Sequence, residues 1–238
     1  CTGRSKAEIY DFILECGIDG VIGAGGGYIE IGNQMLYHKK VTNKAVNHMV
    51  DYFDTNNFDY YVESNGGLFA SKNLVKRLER IIYGDYENYP QAKARYEKKD
   101  SHFINALIEG QEMRRDDINK ACFLENPNIP FNNIIKEFDR EFNVIHCTVP
   151  AFGDNSGELS VPNIHKANAI ETLINYLGIE RKNTYAFGDG MNDKEMLEYV
   201  NIGIAVGNAK EGLKAVADEI TDNIDNNGIY NSMKKHNL

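Results

Sequence analysis

Long apolar runs are missing from this sequence, and so are closely spaced cysteines. No stretch approaches the ~20 apolar residues that a membrane-spanning helix requires, and no signal-peptide pattern is visible. The cysteines show no Cys-x-x-Cys spacing; they are Cys1, Cys16, Cys122 and Cys147. We therefore expect a cytoplasmic protein with no membrane partner, whose thiols are reduced and mostly buried.

The usual nucleotide-binding and zinc-binding spacings are also absent. Gly25-Gly26-Gly27 lacks the Gly-x-Gly-x-x-Gly spacing of dinucleotide-binding loops, and there is no Gly-x-x-x-x-Gly-Lys-Ser/Thr loop. The six histidines show no His-Glu-x-x-His spacing; His165 alone merits attention, since it precedes Lys166. A net charge of −9 disfavours nucleic acid as a partner, because a phosphate backbone requires a cationic surface. A small phosphorylated ligand is compatible with this charge.

What is present is the composition of an ordinary globular protein. The chain has 238 residues, of which 42% are hydrophobic and 26% charged. This length is sufficient for a substantial core in one large or two modest domains. No signal of oligomeric state is apparent.

Helix and strand patterns alternate at both ends of the chain, which is typical of a parallel α/β sheet. Near the start, Ser5 and Glu8 form a capping-box pattern that predicts a helix over 5–16, followed by a strand at 20–23. From residue 163 onward the alternation resumes with a helix at 166–177 and continues to the C-terminal helix.

The middle of the chain has a different pattern, with pairs of short strands joined by tight turns. Two predicted hairpins turn at Gly32-Asn33-Gln34 and Ser64-Asn65-Gly66. We therefore predict the α/β class, with a Rossmann-like parallel core from residues 1–27 and 160–238 and an inserted α+β cap domain from 28–159.

The most informative motif is Gly188-Asp189-Gly190-Met191-Asn192-Asp193, which follows an apolar strand pattern at 184–187. Two carboxylates so close repel each other unless a cation or hydrogen-bond donors compensate. Mg²⁺ is the natural candidate, because it prefers hard oxygen ligands and commonly takes one or two carboxylates with a phosphate. The alternative is a solvated turn. An EF-hand is excluded, since Val200 occupies the position of its bidentate glutamate.

Two further segments suit an anion. Lys166 lies in the first turn of its predicted helix, where a cation opposes the helix dipole by ~0.3–1 kcal/mol, so an anion in front of it would explain its position. Equally, the side chain could extend to water. In Thr2-Gly3-Arg4-Ser5, a hydroxyl and free N–H groups at a helix start suit a phosphate oxygen, although Ser5 could simply cap the helix.

Together these segments resemble the haloacid dehalogenase superfamily, in particular its Cof-type sugar-phosphatase branch. Thr2-Gly3-Arg4 is similar to that family's Thr-Gly-Arg motif, Lys166 to its phosphate-binding lysine, and 187–193 to its metal-binding acidic motif. The segment 205–209 with Lys214, Ala217 and Asp218 resembles the family's closing segment. Four motifs in the right order are far more specific than one.

The resemblance implies a Mg²⁺-dependent phosphatase that acts on a small phosphorylated metabolite through an aspartyl phosphate. It implies that Asp189 binds the metal, with Asn192 and Asp193 as further ligands or orienting groups. Thr2, Gly3, Arg4, Lys166 and Asn192 would bind the phosphate, and Thr2 and Lys166 would assist catalysis.

The sequence departs from the family pattern in two places. The Asp-x-Asp motif that supplies the nucleophile and the general acid/base is absent, and we expect it upstream of Thr2. Gly25 stands where relatives usually carry asparagine. A non-catalytic phosphate-binding relative is the main alternative. A phosphomutase is disfavoured by the type of cap, and the phosphorylation domain of an ion pump by the lack of membrane spans.

Overall fold

The computed structural model describes residues 1–32 and 34–238, which form two compact units. The first unit comprises Cys1–Gly3, Asp19–His38 and Ile164–Leu238, and the second comprises Arg4–Ile18 and Lys39–Asn163. The predicted domain boundaries at 27/28 and 159/160 remain a prediction. The compact units differ from them mainly in assigning 28–38 to the first unit and 4–18 to the second.

The strands of the described residues are short, and single strands alternate regularly with helices from residue 166 onward. They are β1 (Gly20–Gly23), β2 (Tyr28–Ile31), β3 (Gln34–His38), β4 (Tyr60–Ser64), β5 (Gly67–Ala70), β6 (Leu107–Ile108), β7 (Ile118–Phe123), β8 (Asn143–His146), β9 (Gly157–Ser160), β10 (Tyr185–Gly188), β11 (Ile202–Ala205) and β12 (Glu219–Ile220).

The helices include both long amphipathic elements and single turns. They are α1 (Asp11–Leu14), α2 (Asn43–Thr55), α3 (Leu74–Tyr83), α4 (Pro90–Lys98), α5 (His102–Ala106), α6 (Phe131–Phe138), α7 (Lys166–Leu177), α8 (Lys194–Tyr199), α9 (Glu211–Lys214) and α10 (Gly228–His236). No helix within residues 1–32 and 34–238 is both long and apolar enough to cross a membrane.

The first unit contains two small sheets rather than the single parallel sheet that the sequence predicts. Strands β10, β11 and β12 are parallel, as expected. In contrast, β1 pairs antiparallel with β2, and β2 pairs antiparallel with β3. The reason is the tight turn after β1, where the N–H of Gly26 donates to the carbonyl of Gly23 at 3.0 Å and reverses the chain at once. Asn33, in the predicted turn between β2 and β3, lies outside the described residues.

Helices cover both sheets of the first unit. Helix α7 places Ala169 and Leu173 against Ile22 and Ile29 of the antiparallel sheet. Helices α8 and α9 bury Leu197 and Leu213 together with residues of β10 and β11. Full burial of such a leucine contributes about 1.5–3 kcal/mol, so the loops that follow β10 and β11 emerge from a firmly packed base.

The second unit is built on a six-stranded sheet in the order β6-β5-β4-β7-β9-β8. Most of its pairs are antiparallel, and β5–β6 is parallel. One face packs against the apolar sides of α2 and α6, and the other against α3 and α5. Helix α2 is capped by Thr42, whose hydroxyl accepts the N–H of Ala45 at 3.3 Å.

The predicted continuous helix over 5–16 is wrong. A single 3₁₀ turn, Lys6–Glu8, is followed by extended backbone at Ile9 and Tyr10, and only then by α1. The hydroxyl of Ser5 makes no cap bond because it donates to the carboxylate of Glu63, at 2.9 Å.

The expectation of mostly buried cysteines is also wrong for half of them. Cys122 is buried and Cys147 partly buried, whereas Cys1 and Cys16 are exposed. All four are free thiols. Neither Cys1 nor Cys16 lies on a strand of a sheet, and the side chains of both are outside the hydrophobic cores.

Candidate active site

The acidic loop between β10 and α8 is held in shape by one of its own carboxylates. Oδ2 of Asp193 accepts the backbone N–H groups of Asp189, at 3.0 Å, and Gly190, at 3.2 Å. Gly188 is needed beneath it, because a Cβ at that position would lie 2.7 Å from Cβ of Asp193. The loop lies at the carboxyl end of β10, which pairs parallel with β11. Ligands commonly bind at this end of the strands in α/β proteins.

The second oxygen of Asp193 accepts a short hydrogen bond from the ammonium group of Lys166. Asp193 is 4% exposed and Lys166 is 6% exposed. Burying two charges is costly unless they pair and their remaining hydrogen-bonding capacity is satisfied, and the two N–H groups on Oδ2 meet that condition for Asp193. The anion that faces Lys166 is the carboxylate of Asp193, so the side chain does not extend into water; phosphate binding by Lys166 stays a prediction.

Asp189 and Asn192 differ from Asp193 in being exposed. Oδ1 of Asn192 lies over Gly190, where a Cβ would come within 2.4 Å of it. Nδ2 of Asn192 lies 3.8 Å from the position that a Cβ of Gly3 would occupy. The structure thus brings Asn192 close to Gly3, two residues that the sequence assigns to phosphate binding.

Residues 1–3 are attached to the end of β1. The N–H of Thr2 donates to the carbonyl of Ile22 at 2.8 Å, and the carbonyl of Thr2 accepts the N–H of Gly25 at 3.0 Å. These two bonds hold Thr2 at the end of β1, in the same unit as the Lys166–Asp193 pair.

The glycine loop after β1 approaches the start of α7. Gly26 has a φ of +108°, and a Cβ there would lie 2.6 Å from the carbonyl oxygen of His165. The ring of His165 in turn accepts the N–H of Asn168 through Nδ1, at 3.4 Å, and caps the helix that begins with Lys166. Gly26 and His165 therefore set the position of Lys166.

Arg4 belongs to the second unit and makes local contacts there. Its Nη1 donates to the carbonyl of Glu8 at 3.3 Å, and its guanidinium lies 5.7 Å from the centre of the Tyr10 ring. The predicted role of Arg4 in phosphate binding stays a prediction, as do the roles of the other site residues.

The donors available for a metal ion are few. Both oxygens of Asp193 already accept hydrogen bonds, so Asp189 is the carboxylate free to coordinate directly and Asn192 offers an amide oxygen. Within the described part of the chain, no group of three or more His, Cys, Asp or Glu side chains could hold a metal. This donor set fits an ion such as Mg²⁺, which retains waters and binds substrate phosphate, and does not fit a closed zinc site.

The sequence reasoning missed Lys210. Its backbone N–H donates to the carbonyl of Asp189 at 3.0 Å and ties the loop after β11 to the acidic loop. The sequence signal for Lys210 is its position directly after the segment 205–209, which is part of the family resemblance.

Comparison with known proteins identifies the class. The haloacid dehalogenase-like hydrolase family matches residues 1–233, and the chain belongs to this family. It is therefore a hydrolase of the haloacid dehalogenase phosphatase family, whose catalysis is metal-dependent and whose substrates are small phosphorylated molecules. The resemblance deduced from the motifs is confirmed.

Among individual relatives, the chain is similar to phosphatase YwpJ of Bacillus subtilis, with 27% identity over 98% of this chain and 85% of that protein. Among solved structures, it is similar to a hypothetical protein from Geobacillus kaustophilus, with a TM-score of 0.77, 24% identity, and coverage of 99% of this chain and 83% of that one. The subclass IIB sugar phosphatase BT4131 has a TM-score of 0.68 at 22% identity, covering 100% and 84%. The α/β fold of the family is thus confirmed, although most of its strand pairs here are antiparallel.

Proposed function

We propose that this protein is a Mg²⁺-dependent phosphatase of small phosphomonoesters, in particular sugar phosphates and related metabolites. The observation that carries this proposal is the buried Lys166–Asp193 pair beside the exposed carboxylate of Asp189, at the carboxyl end of β10. A fixed cation next to a free carboxylate suits a phosphate held between an ammonium group and a metal ion.

Each predicted site residue has a separate task in this proposal. Asp189 holds Mg²⁺, which when bound neutralises charge on the phosphoryl group. Asn192 and Asp193 orient the metal's surroundings, Asp193 through its bonds to the loop and to Lys166. Lys166, the hydroxyl of Thr2 and the N–H of Gly3 bind the phosphoryl oxygens, and Arg4 contributes positive charge.

The chemistry is a two-step transfer. A carboxylate of an Asp-x-Asp motif, upstream of residue 1, attacks phosphorus, and the bond from phosphorus to the leaving alcohol breaks as the second aspartate donates a proton to it. Water then attacks the aspartyl phosphate with the same residue as base, releasing phosphate and restoring the carboxylate. The ammonium group of Lys166 offsets the charge on the phosphoryl oxygens in both steps.

The names of relatives support the substrate class. YwpJ is a phosphatase, and BT4131 is a sugar phosphatase. A shorter match, 32% identical over 79 residues, is to the Bacillus subtilis phosphatase YitU, which acts on 5-amino-6-(5-phospho-D-ribitylamino)uracil. The substrates named for BT4131 and YitU are both phosphate esters of small polar molecules.

A second candidate is a non-catalytic relative, in which the same cradle binds a phosphorylated ligand and leaves it intact. Retention of the paired Lys166 and Asp193 is common to both candidates, so only turnover separates them.

The test is phosphate release by the purified full-length protein from a panel of sugar phosphates, with and without Mg²⁺. We expect Mg²⁺-dependent turnover that Asp189→Ala abolishes while the circular dichroism spectrum is unchanged. Asp225→Ala, an exposed aspartate on the same unit, is the matched control and should retain activity. Binding of a sugar phosphate without turnover would establish the second candidate, and full activity of Asp189→Ala would refute the metal assignment.

A further inference from the structure

The second unit contains a group of buried polar side chains at the centre of its sheet. Glu63 on β4 lies opposite Lys120 on β7 in the strand register. Glu63 is 1% exposed and the adjacent Asn119 is 3% exposed. Polar groups at such positions destabilise a fold unless hydrogen bonds compensate for the lost water. Their presence at the middle of a sheet calls for a specific partner.

That partner is Ser5. Its hydroxyl donates to Oε2 of Glu63 at 2.9 Å and accepts a hydrogen bond from Nδ2 of Asn119 at 3.1 Å. Ser5 is 0% exposed, so the segment Arg4–Ile18 is anchored to the sheet through a hydroxyl with both a donor and an acceptor in place. The two strands that supply these partners are central in the sheet, so the anchor is rigid.

The charges around Glu63 are unbalanced. Nζ of Lys120 lies 3.2 Å from Oε1 of Glu63 and 3.1 Å from Oε2 of Glu158 on β9. Glu8, on the 3₁₀ turn of the anchored segment, faces Glu63 with a second carboxyl group. Three carboxyl groups therefore face one ammonium group; Glu63 is buried, whereas Glu8 and Glu158 are partly exposed.

Two uncharged groups complete the surroundings of Glu63. The thiol of Cys122 on β7 donates to Oε1 of Glu63 at 3.4 Å, and Tyr61 on β4 hydrogen-bonds to Cys122. Burial raises the pKa of Glu63 to about 8, with Glu8 adding to the rise and Lys120 opposing it. At neutral pH the cluster accordingly holds an extra proton, which a hydrogen bond between the carboxyl groups of Glu63 and Glu8 requires.

We propose that Glu63 is a positioning residue: together with Asn119 it clamps the hydroxyl of Ser5, and so restrains the Thr2-Gly3-Arg4 segment that directly precedes Ser5. The clamp itself depends only on contacts within the second unit. Its consequence for turnover rests on the proposed function, because that function assigns phosphate binding to Thr2.

The direction of the pH dependence follows from linkage. The docked segment keeps Glu63 protonated more tightly than a released segment does, since release exposes the carboxyl group to water. Release therefore expels a proton and becomes easier as pH rises. The effect begins above the ordinary pKa of a glutamate and levels off above about 8, where Glu63 is ionised in both states.

Amide hydrogen exchange of residues 6–15, corrected for the intrinsic rate at each pH, measures this opening directly. In the wild-type protein we expect the opening constant to rise by up to about tenfold per pH unit between pH 6 and 8 and then to level off. Glu63→Gln keeps a neutral side chain of the same shape and should show no such rise. Glu125→Gln, a carboxylate elsewhere on the same unit that accepts hydrogen bonds from Asn155, should behave like the wild type.

A second variant tests the clamp independently, in case the Glu63→Gln protein does not fold. Ser5→Ala removes the hydroxyl on which the clamp closes, and it should raise the opening constant of residues 6–15 at pH 6 at least tenfold, without changing exchange in β10 or β11. Pulling the segment free should also raise KM more than it lowers kcat. An opening constant that is independent of pH in the wild type, or unchanged by Ser5→Ala, would overturn the clamp. Exchange results as expected in a protein without phosphatase activity would leave the clamp standing and refute only the proposed function.

Discussion

The ammonium group of Lys166 and the carboxylate of Asp193 form a buried ion pair that joins the first turn of α7 to the start of α8. The pair resolves two electrostatic problems together. It offsets the unfavourable position of a cation at a helix N-terminus. It also occupies Asp193, whose other oxygen accepts two backbone N–H groups, so that Asp189 is the carboxylate of the acidic loop that can bind a metal.

Replacing Lys166 with methionine should destabilise the protein strongly. The variant keeps the volume of the side chain but leaves the carboxylate of Asp193 buried without a cation, which costs about 3–5 kcal/mol in comparable pairs. Urea denaturation measures the loss, and the double variant Lys166→Met with Asp193→Asn should recover part of it. A loss below about 1 kcal/mol would show that the two N–H bonds to Asp193 are sufficient on their own.

Substitution of Gly26 by alanine should be more damaging than the same change at Gly25. Both have positive φ, but a Cβ at Gly26 would meet the carbonyl of His165 at 2.6 Å, whereas nothing lies within 4 Å of a Cβ at Gly25. We expect about 1 kcal/mol for Gly25→Ala from backbone strain alone and a clearly larger loss for Gly26→Ala, together with reduced phosphate affinity because Lys166 follows His165. Equal losses in thermal unfolding would contradict the close approach.

His48 should make stability depend on pH. Nδ1 of its ring lies 2.5 Å from Glu141 and Nε2 lies 2.8 Å from Glu137, and the hydrogen bond with Glu141 is the main cause of the raised pKa of His48. A raised pKa means that the folded state binds the proton more tightly. The added stability is thus fully present below the ordinary pKa of ~6.5 and is lost as pH rises through the folded value.

The His48→Gln variant isolates this effect. Its urea midpoint should fall below that of the wild type at pH 5.5, and the difference should shrink by pH 8.5. His38→Gln, at a histidine of β3 in the first unit, provides the control. A difference between His48→Gln and wild type that grows with pH would mean that the imidazole is bound in its neutral form.

Arg115 should not tolerate replacement by lysine. Its guanidinium makes two hydrogen bonds of 2.8 Å to the carboxylate of Asp117 and lies 3.8 Å from the centre of the Phe69 ring. A lysine loses the paired geometry and the stacked plane, so we expect Arg115→Lys to cost about 1–2 kcal/mol. Arg114→Lys, at a more exposed ion pair with Asp51, should cost under ~0.5 kcal/mol. Similar losses in both variants would show that stacking on Phe69 contributes little.

Local signals in the sequence predicted most elements close to where they occur. The capping residue Thr42, the turn at Ser64-Asn65-Gly66 and the apolar stripe of α7 each act through neighbours in the chain, so a single sequence reveals them. The motifs that carry the family resemblance are likewise short and contiguous. The polar, tyrosine-rich segment 83–97 shows no clear helical pattern, yet Pro90–Lys98 is helical. This helix has no buried residue, so no apolar stripe marks it in the sequence.

Where a local sequence signal competed with a partner distant in the chain, contact with that partner determined the local structure. The Ser5 pattern predicted a helix cap, but Glu63 and Asn119 supply a donor and an acceptor that a helix start could not match. The strand at 20–23 was expected in a parallel sheet, but the turn at 24–27 delivers β2 to its edge before any helix intervenes.

The sequence by itself determined the family, the order of the motifs and the chemical nature of the candidate site, because each of these is written in contiguous residues. Tertiary structure alone decided which carboxylate of the acidic loop pairs with Lys166, which strand β1 joins, and that Ser5 anchors to Glu63. Pairing of this kind depends on which groups packing excludes from water, and a buried charge or hydroxyl accepts whichever partner the fold brings within hydrogen-bond distance.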